Sequence, residues 1–386
     1  MSEIVAIEIT HHQLVLDPPF PASWDPQPRT RFPVTIVRVR DSDGRVGVGS
    51  GDVMYGFADH SRWFLGEDPL ALEQHAARLA NVEFHAGRPW PLDLALWDLA
   101  GQITGEPVWR MLAASCGRST DGPARLRLYA STAVHRGAAE TVEVARRMID
   151  LGFGAMKLRF GRPSVDDDLR VLAAVRDAVG DALELMVDCN QGWRMPWDTT
   201  TPWDVERAWS VAERLIAERV YWMEEPLHRG DRAGMAELHQ RVGGRMLLAG
   251  AEMTREPYEL RDLLAGGCLD VFQPDCVCTN GVSGLARFGR EVVAAGRTFT
   301  PHTWGNGIGV LANLHLAAGV AGVEGSQWVE WPFDPPEWTT ERRDYPVAAP
   351  LQAIEGWVVL PEAPGLGVVL DDARLTATAS DRATFS

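Results

Sequence analysis

Apolar and polar positions change rhythm twice along the chain. Over the first 55 residues the rhythm has period two. Ile4 to Leu16 alternates, and Val34-Thr35-Ile36-Val37-Arg38-Val39-Arg40 is β-branched. Asp41-Ser42-Asp43-Gly44 then turns, and Val46-Gly47-Val48-Gly49 resumes. This pattern predicts strands. From Pro69 to Ala114 the spacing becomes helical, with Leu92, Leu96, Leu99, Ala100 and Ile103 in register and Gly105 just past the run. After about residue 125, short apolar runs alternate with helical stretches in cycles of about 30 residues. Strands are expected at Leu126–Tyr129, Ala155–Arg159, Glu184–Asp188, Tyr221–Glu224, Leu247–Glu252, Val271–Asp275, Thr298–His302 and Trp328–Glu330. Helices are expected between them, for example at Val165–Val179 and Val282–Ala295. Such an alternation predicts an α/β fold, a closed (β/α)8 barrel of the TIM type. An open doubly wound sheet would show one Gly-rich phosphate turn and fewer cycles. From Leu351 onward strand and turn texture returns, at Trp357–Leu360 and Pro364-Gly365-Leu366-Gly367. The expected organisation is an α+β capping domain at 1–125, the barrel at 126–350 and a tail at 351–386 that rejoins the capping domain.

Charge narrows the partners. Among 386 residues, 37 are Lys or Arg and 53 are Asp or Glu, a formal net charge of −16. Nucleic acid and anionic membrane surfaces reward basic patches, so neither is expected as a partner. The five cysteines form no paired framework, which suits a reducing cytoplasm. The start, Met1-Ser2-Glu3-Ile4-Val5, lacks the basic and apolar regions of a signal peptide. The most apolar stretch, Gly307 to Val323, contains Asn313 and His315 and reads as a buried helix.

The chemistry is written at the strand ends. A charged residue that ends an apolar barrel strand points into the mouth, where barrel sites lie. Here the ends carry Lys157 and Arg159, then Asp188, Glu224, Glu252, Asp275, His302 and Glu330. Counted from Lys157 the intervals are 31, 36, 28, 23, 27 and 28 residues, one group per cycle. Asp188, Glu224 and Glu252 end three successive strands, and neighbouring strands lie about 4.8 Å apart. Three carboxylates gathered there repel unless a cation joins them. An all-oxygen set suits Mg²⁺ first and Mn²⁺ second, and it does not suit zinc. Lys157 and Arg159 are two apart and share one side of their strand, facing the carboxylates. Asp275 beside His302 orients an imidazole as a base. Glu330, if protonated, would hydrogen-bond a developing oxyanion from the side away from the metal. The set serves removal of a proton next to a carboxylate.

The ordered motifs resemble the enolase superfamily, in its mandelate racemase subgroup. They are Met156-Lys157-Leu158-Arg159, Val187-Asp188-Cys189-Asn190, Met223-Glu224-Glu225-Pro226, Gly250-Ala251-Glu252, Gln273-Pro274-Asp275, Thr300-Pro301-His302 and Val329-Glu330-Trp331. The Leu92–Ile103 stretch and the Pro364–Gly367 tail resemble the family's capping domain. The resemblance implies Mg²⁺ on Asp188, Glu224 and Glu252, a His302–Asp275 base and Glu330 as donor to the enediolate. It implies that Lys157 meets the carboxylate of a small substrate and that the chain forms a homo-oligomer. Asn190 stands where some other subgroups carry a histidine, and it is a candidate to bind the substrate. Arg159 stands where the family often has a second lysine acting as base on the other face. Arginine stays protonated, so a one-base reaction is expected: dehydration of an acid sugar to a 2-keto-3-deoxy acid, a hydro-lyase activity. A racemase or epimerase, a lactonizing enzyme, and a carboxylate-binding barrel without activity are the alternatives.

The loop Asp17–Arg31, with five prolines, and the segment Gly49–Asp59 are expected over the mouth. Arg29, Arg31, Asp52 and Tyr55 are candidates to contact the distal part of the substrate, with Trp304 lining the pocket. Simpler roles compete with some of these. An isolated strand-end carboxylate is more often a solvated cap, and Lys157 and Arg159 are natural ion-pair partners for the carboxylates. Gly47, Gly49 and Gly51 lack the context of a dinucleotide fingerprint. Cys276-Val277-Cys278 has the wrong spacing for zinc.

Overall fold

The computed structural model describes residues 2–51 and 54–386, with the side chains of residues 323 and 324 outside that description. Strands β1 (Ile4–Phe20), β2 (Arg29–Asp41) and β3 (Val46–Gly51) make an antiparallel sheet. Their alternation buries Ile7, Ile9, Val37 and Val39 in one core with Leu92, Leu96 and Leu99 of the helix Trp90–Thr104. Helix and strand touch backbone to backbone. A Cβ on Gly47 would fall 2.1 Å from the Ala95 carbonyl oxygen, and one on Gly49 2.0 Å from that of Pro91. Close packing, rather than a phosphate, accounts for this glycine series. The helix stops at Gly105, whose φ of 75° is left-handed.

Eight strands build the second body: β4 (Arg125–Ser131), β5 (Ala155–Arg159), β6 (Glu184–Asp188), β7 (Trp222–Glu224), β8 (Leu247–Gly250), β9 (Val271–Phe272), β10 (Thr298–Phe299) and β11 (Val329–Pro332). They pair in parallel in the order β10-β9-β8-β7-β6-β5-β4-β11. The two ends of that path meet where Thr300 Oγ1 donates to the Trp328 carbonyl (2.6 Å) and Thr303 Oγ1 to that of Glu330 (2.9 Å). The expected (β/α)8 barrel is therefore present. Its helices include Val165–Val179, Val205–Ala217, Arg232–Val242 and Gly307–Leu316. Ser164, Asp204, Asp231 and Asn306 cap them by accepting first-turn backbone N–H groups. Tyr129, Met186 and Ala249 within their strands, with Ala155, Trp222, Val271 and Trp328 at or just before the starts of theirs, form a buried apolar cluster.

Four expectations change. First, β1 continues to Phe20, and β2 begins at Arg29, so the proline-rich connection is 21–28 rather than 17–31. Phe20 is buried against the Trp338 ring, with centroids 4.9 Å apart, and this anchor extends the strand. Second, β8, β9 and β10 end before Glu252, Asp275 and His302, which sit in the turns that follow. Third, the buried stretch from Gly307 is α-helical only to Leu316 and then widens to a π-helix at Ala317–Ala321. Fourth, the tail meets the barrel before it meets the N-terminal sheet. β12 (Trp357–Val359) pairs antiparallel with β4, and β13 (Ala379–Phe385) then pairs antiparallel with β1. Among the described residues no helix is long and apolar enough to cross a membrane.

Candidate active site

Register brings the carboxylates together. Asp188 and Glu224 are direct partners across β6 and β7. Glu252 lies two residues past β8, after Ala251 turns with a left-handed φ of 81°. One oxygen from each of the three lies within 4.8 Å of the others, and all three side chains are buried. The surrounding side chains orient them. Gln273 Nε2 donates to Glu224 Oε2 (3.0 Å), Trp222 Nε1 to the same oxygen (3.2 Å), and Trp193 Nε1 to Glu252 Oε1 (2.6 Å). Glu252 Oε2 is buried without a hydrogen bond, its nearest cationic neighbour being His302 Nε2 at 3.4 Å. Burial drives the Glu224 carboxyl up to about 8 against the pull of Lys157.

Two cations hold this cluster. Lys157 Nζ lies 2.5 Å from Glu224, 3.0 Å from Glu330 and 3.8 Å from Asp188. Arg159 Nη1 lies 2.5 Å from Asp188, and the guanidinium sits 5.1 Å from the Trp24 ring centre. Burial would lower both pKa values, but the surrounding carboxylates dominate, so both side chains stay charged. Both are thus ion-paired with the carboxylates, and Arg159 also lines the cavity at the mouth. A hard dication fits this donor set: three buried carboxylates, one oxygen orphaned, with only side-chain cations as counter-charge.

His302 Nδ1 lies 2.9 Å from Asp275 Oδ2. Asn313 Nδ2 and the Val277 N–H both donate to Asp275 Oδ1 at 2.8 Å, which fixes the carboxylate. His302 Nε2 faces the cluster, 3.4 Å from Glu252 and 4.0 Å from Glu330. Burial alone would lower its pKa. Glu252, Glu330 and Asp275 outweigh burial and raise it to about 10. Glu330, expected as a donor only if protonated, sits among three cations. Burial would raise its carboxyl, but Lys157, His302 and Arg159 hold it well below the usual range. Glu330 is an acceptor in this state, taking bonds from Ser131 Oγ and the Thr303 N–H, both at 2.7 Å.

A cavity of about 620 Å³ opens on this centre, and Arg159, Glu252, His302, Arg29 and Trp304 line it. Other sequence candidates fall elsewhere. Tyr55 is 62% exposed and lines an adjoining cleft rather than this cavity. Arg31 is exposed on β2, where the extended strand pairs it with Val15. Asn190 turns with a φ of 51° and lines a separate cavity beside Trp24. Asp52 lies outside the described residues. The sequence reading passed over Ser131, Gln273, Thr303, Asn313 and Trp193. Ser131 ends β4, and looking for a polar group at the end of every strand finds it once that strand is drawn two residues longer.

The family described as enolase C-terminal domain-like matches residues 140–374. The D-galactarolactone cycloisomerase of Agrobacterium fabrum is 28% identical over 88% of this chain and 90% of its own. The L-rhamnonate dehydratase of Saccharopolyspora erythraea is 30% identical over 87% of this chain and 83% of its own. Among solved structures, the L-talarate dehydratase of Polaromonas, complexed with Mg and L-glucarate, superposes with a TM-score of 0.82. It is 24% identical, covers 100% of this chain and 99% of its own, and so bears on the fold.

Proposed function

Because the chain belongs to the enolase superfamily, we propose that it is a Mg²⁺-dependent hydro-lyase that dehydrates an acid sugar to a 2-keto-3-deoxy acid. The observation that carries the reading is one base poised beside one carboxylate cluster, with a fixed guanidinium where a second base would stand. Asp188, Glu224 and Glu252 would hold the ion. When bound, it supplies positive charge next to the substrate carboxylate, where charge gathers as the α-proton leaves. Lys157, relieved of part of its counter-charge role towards Glu224 and Asp188, would then meet the substrate carboxylate. His302 must be neutral to act. Asp275 then holds the Nδ1–H, and Nε2 accepts the α-proton. The C–H electron pair forms the Cα=Cβ bond as the Cβ–OH bond breaks. His302 returns its proton to the departing hydroxide, and water leaves. The enol product then tautomerises to the 2-keto acid.

Arg159 stays charged and has no role as a base, which sets a racemase or epimerase behind the dehydratase. The cycloisomerase relatives favour one second reading. The same α-proton removal can expel a ring oxygen in place of a hydroxyl. The cap built from the N-terminal region and the tail would close over the mouth. We place the protein in the cytosol, where its five free thiols stay reduced.

The test is a panel of aldonic acids, aldaric acids and their lactones with Mg²⁺, read by a carbonyl reagent and by mass. A 2-keto product lighter than its substrate by one water establishes the dehydratase. A keto product of unchanged mass establishes the cycloisomerase. α-Deuterium exchange in D₂O with no new carbonyl would replace both with a racemase or epimerase.

A further inference from the structure

The cavity over the catalytic centre reverses the charge of the molecule. The chain carries a net −16, yet beyond the catalytic groups the lining holds Arg29, Arg88, Arg194, Arg229 and Arg255, and among the described residues the one acidic lining residue is Glu252. Arg29 is paired with Asp25. Arg194 donates to the neutral Gln191 side chain, and Arg229 to the Gly192 carbonyl. Among the described residues no carboxylate lies within ion-pair distance of Arg194, Arg229 or Arg255. The Arg194 Nε–H is also buried without an acceptor. A buried donor without a partner, in a wall of like charges, is matched by an anion. Trp24 and Trp304 line the same cavity, close to Arg159. They offer apolar faces along which a carbon chain can lie.

We propose that this cavity takes a substrate with a second anionic group at the end remote from the reacting carbons, held by Arg194 and Arg255 with Arg229 beside them. The substrate class is then a sugar acid charged at both ends, such as an aldaric acid, rather than a simple aldonic acid. This deepens the dehydratase reading and rests on it for turnover, but not for binding.

The experiment compares three substrates that share configuration along the chain: the aldarate, the aldonate and the aldonate 6-phosphate. Wild type and the Arg194→Met and Arg255→Met variants would be measured with Mg²⁺. The aldarate or the phosphate should lead the aldonate in kcat/KM by about 10- to 100-fold, and whichever leads identifies the anion. Each variant should remove most of that lead while changing aldonate turnover less than about threefold. This also shows that the variant is folded. An aldonate preferred in wild type, or variants that weaken all three substrates equally, would overturn the proposal. If nothing turns over, calorimetry of the Mg²⁺-loaded protein with adipate and hexanoate decides. Tighter adipate binding that Arg255→Met abolishes keeps the anion site and rejects the dehydratase. Equal binding of the two rejects the site itself.

Discussion

Two layers of the barrel lie two residues apart on the same strands and have opposite chemistry. The lower layer is Ala155, Met186, Trp222 and Trp328 in an apolar cluster. The upper layer, one alternation further along each strand, is Lys157, Asp188, Glu224 and Glu330, all nearly or fully buried. Side chains at i and i+2 share a face, so the layers see the same interior. The lower layer gains stability by excluding water. The upper layer loses solvation and recovers it through ion pairs. That arrangement stabilises a fold weakly, because burying charge offsets most of the attraction. A buried charged layer directly above a packed apolar one is therefore evidence of chemistry rather than of folding.

The sharpest way to separate the layers is to remove the base and then part of the apolar cluster. His302→Asn keeps a polar group near Asp275 and removes the proton acceptor. Turnover should fall by about 10²- to 10⁴-fold, with Mg²⁺ affinity near that of wild type. Retained turnover would move the base elsewhere. Met186→Ala, two residues before Asp188, should do the reverse. It deletes a fully buried side chain and should cost about 2–5 kcal/mol in urea unfolding, while the folded enzyme keeps its kcat at low temperature. A stable but inactive Met186→Ala protein would contradict the division into layers.

The two layers were unequally legible. The apolar cluster is invisible in the sequence as a cluster, because Met186 and Trp222 look like any apolar strand residue until register brings them together. The charged layer was legible because a strand ending in Asp or Glu is unusual in an apolar run, and the interval of 23 to 36 residues repeats it. What escaped has a physical reason. Thr303 works partly through its backbone N–H, which carries no residue signature. Asn313 reaches Asp275 from a helix 38 residues away, a distance set by tertiary packing. Tyr55 follows β3 outside any strand or helix, where no periodicity says which cleft a side chain lines.

Glu252 sharpens the comparison from the metal side. At a Mg²⁺ concentration 100 times its Kd, wild type should gain about 2.7 kcal/mol of stability. Glu252→Gln keeps the shape and removes one charge from a crowded group whose Oε2 makes no hydrogen bond. Its Mg²⁺-dependent gain should shrink towards zero while its metal-free stability changes little. An undiminished Mg²⁺ shift in thermal unfolding would remove Glu252 from the ligand set.

The smallest effect comes from asking what burial does to a histidine without carboxylates. His302 and His315 are both buried, but their pKa values move in opposite directions. His302 is raised to about 10 because three carboxylates outweigh burial. His315 is lowered to about 3 because burial acts almost alone. Its Nδ1 lies 3.0 Å from the Trp109 N–H and its Nε2 3.3 Å from the Leu366 carbonyl. Neutral His315 thus ties the helix Gly307–Leu316 to Trp109 and to the C-terminal tail. In the unfolded chain it takes a proton near pH 6.5; in the folded protein it does so only near 3. The unfolded state therefore binds more protons across that window. The His315 contribution is complete above pH 6.5 and declines below it by about 1.4 kcal/mol per unit. His302 has the opposite sign, with a contribution complete below pH 6.5 and lost as pH rises towards 10. His315→Gln can keep both hydrogen bonds without titrating. Between pH 6.5 and 5 wild type should lose about 2 kcal/mol more than this variant in urea unfolding. Parallel losses in the two proteins would place the acid sensitivity in other groups and leave the carboxylates around His302 as no explanation of the difference between the two histidines.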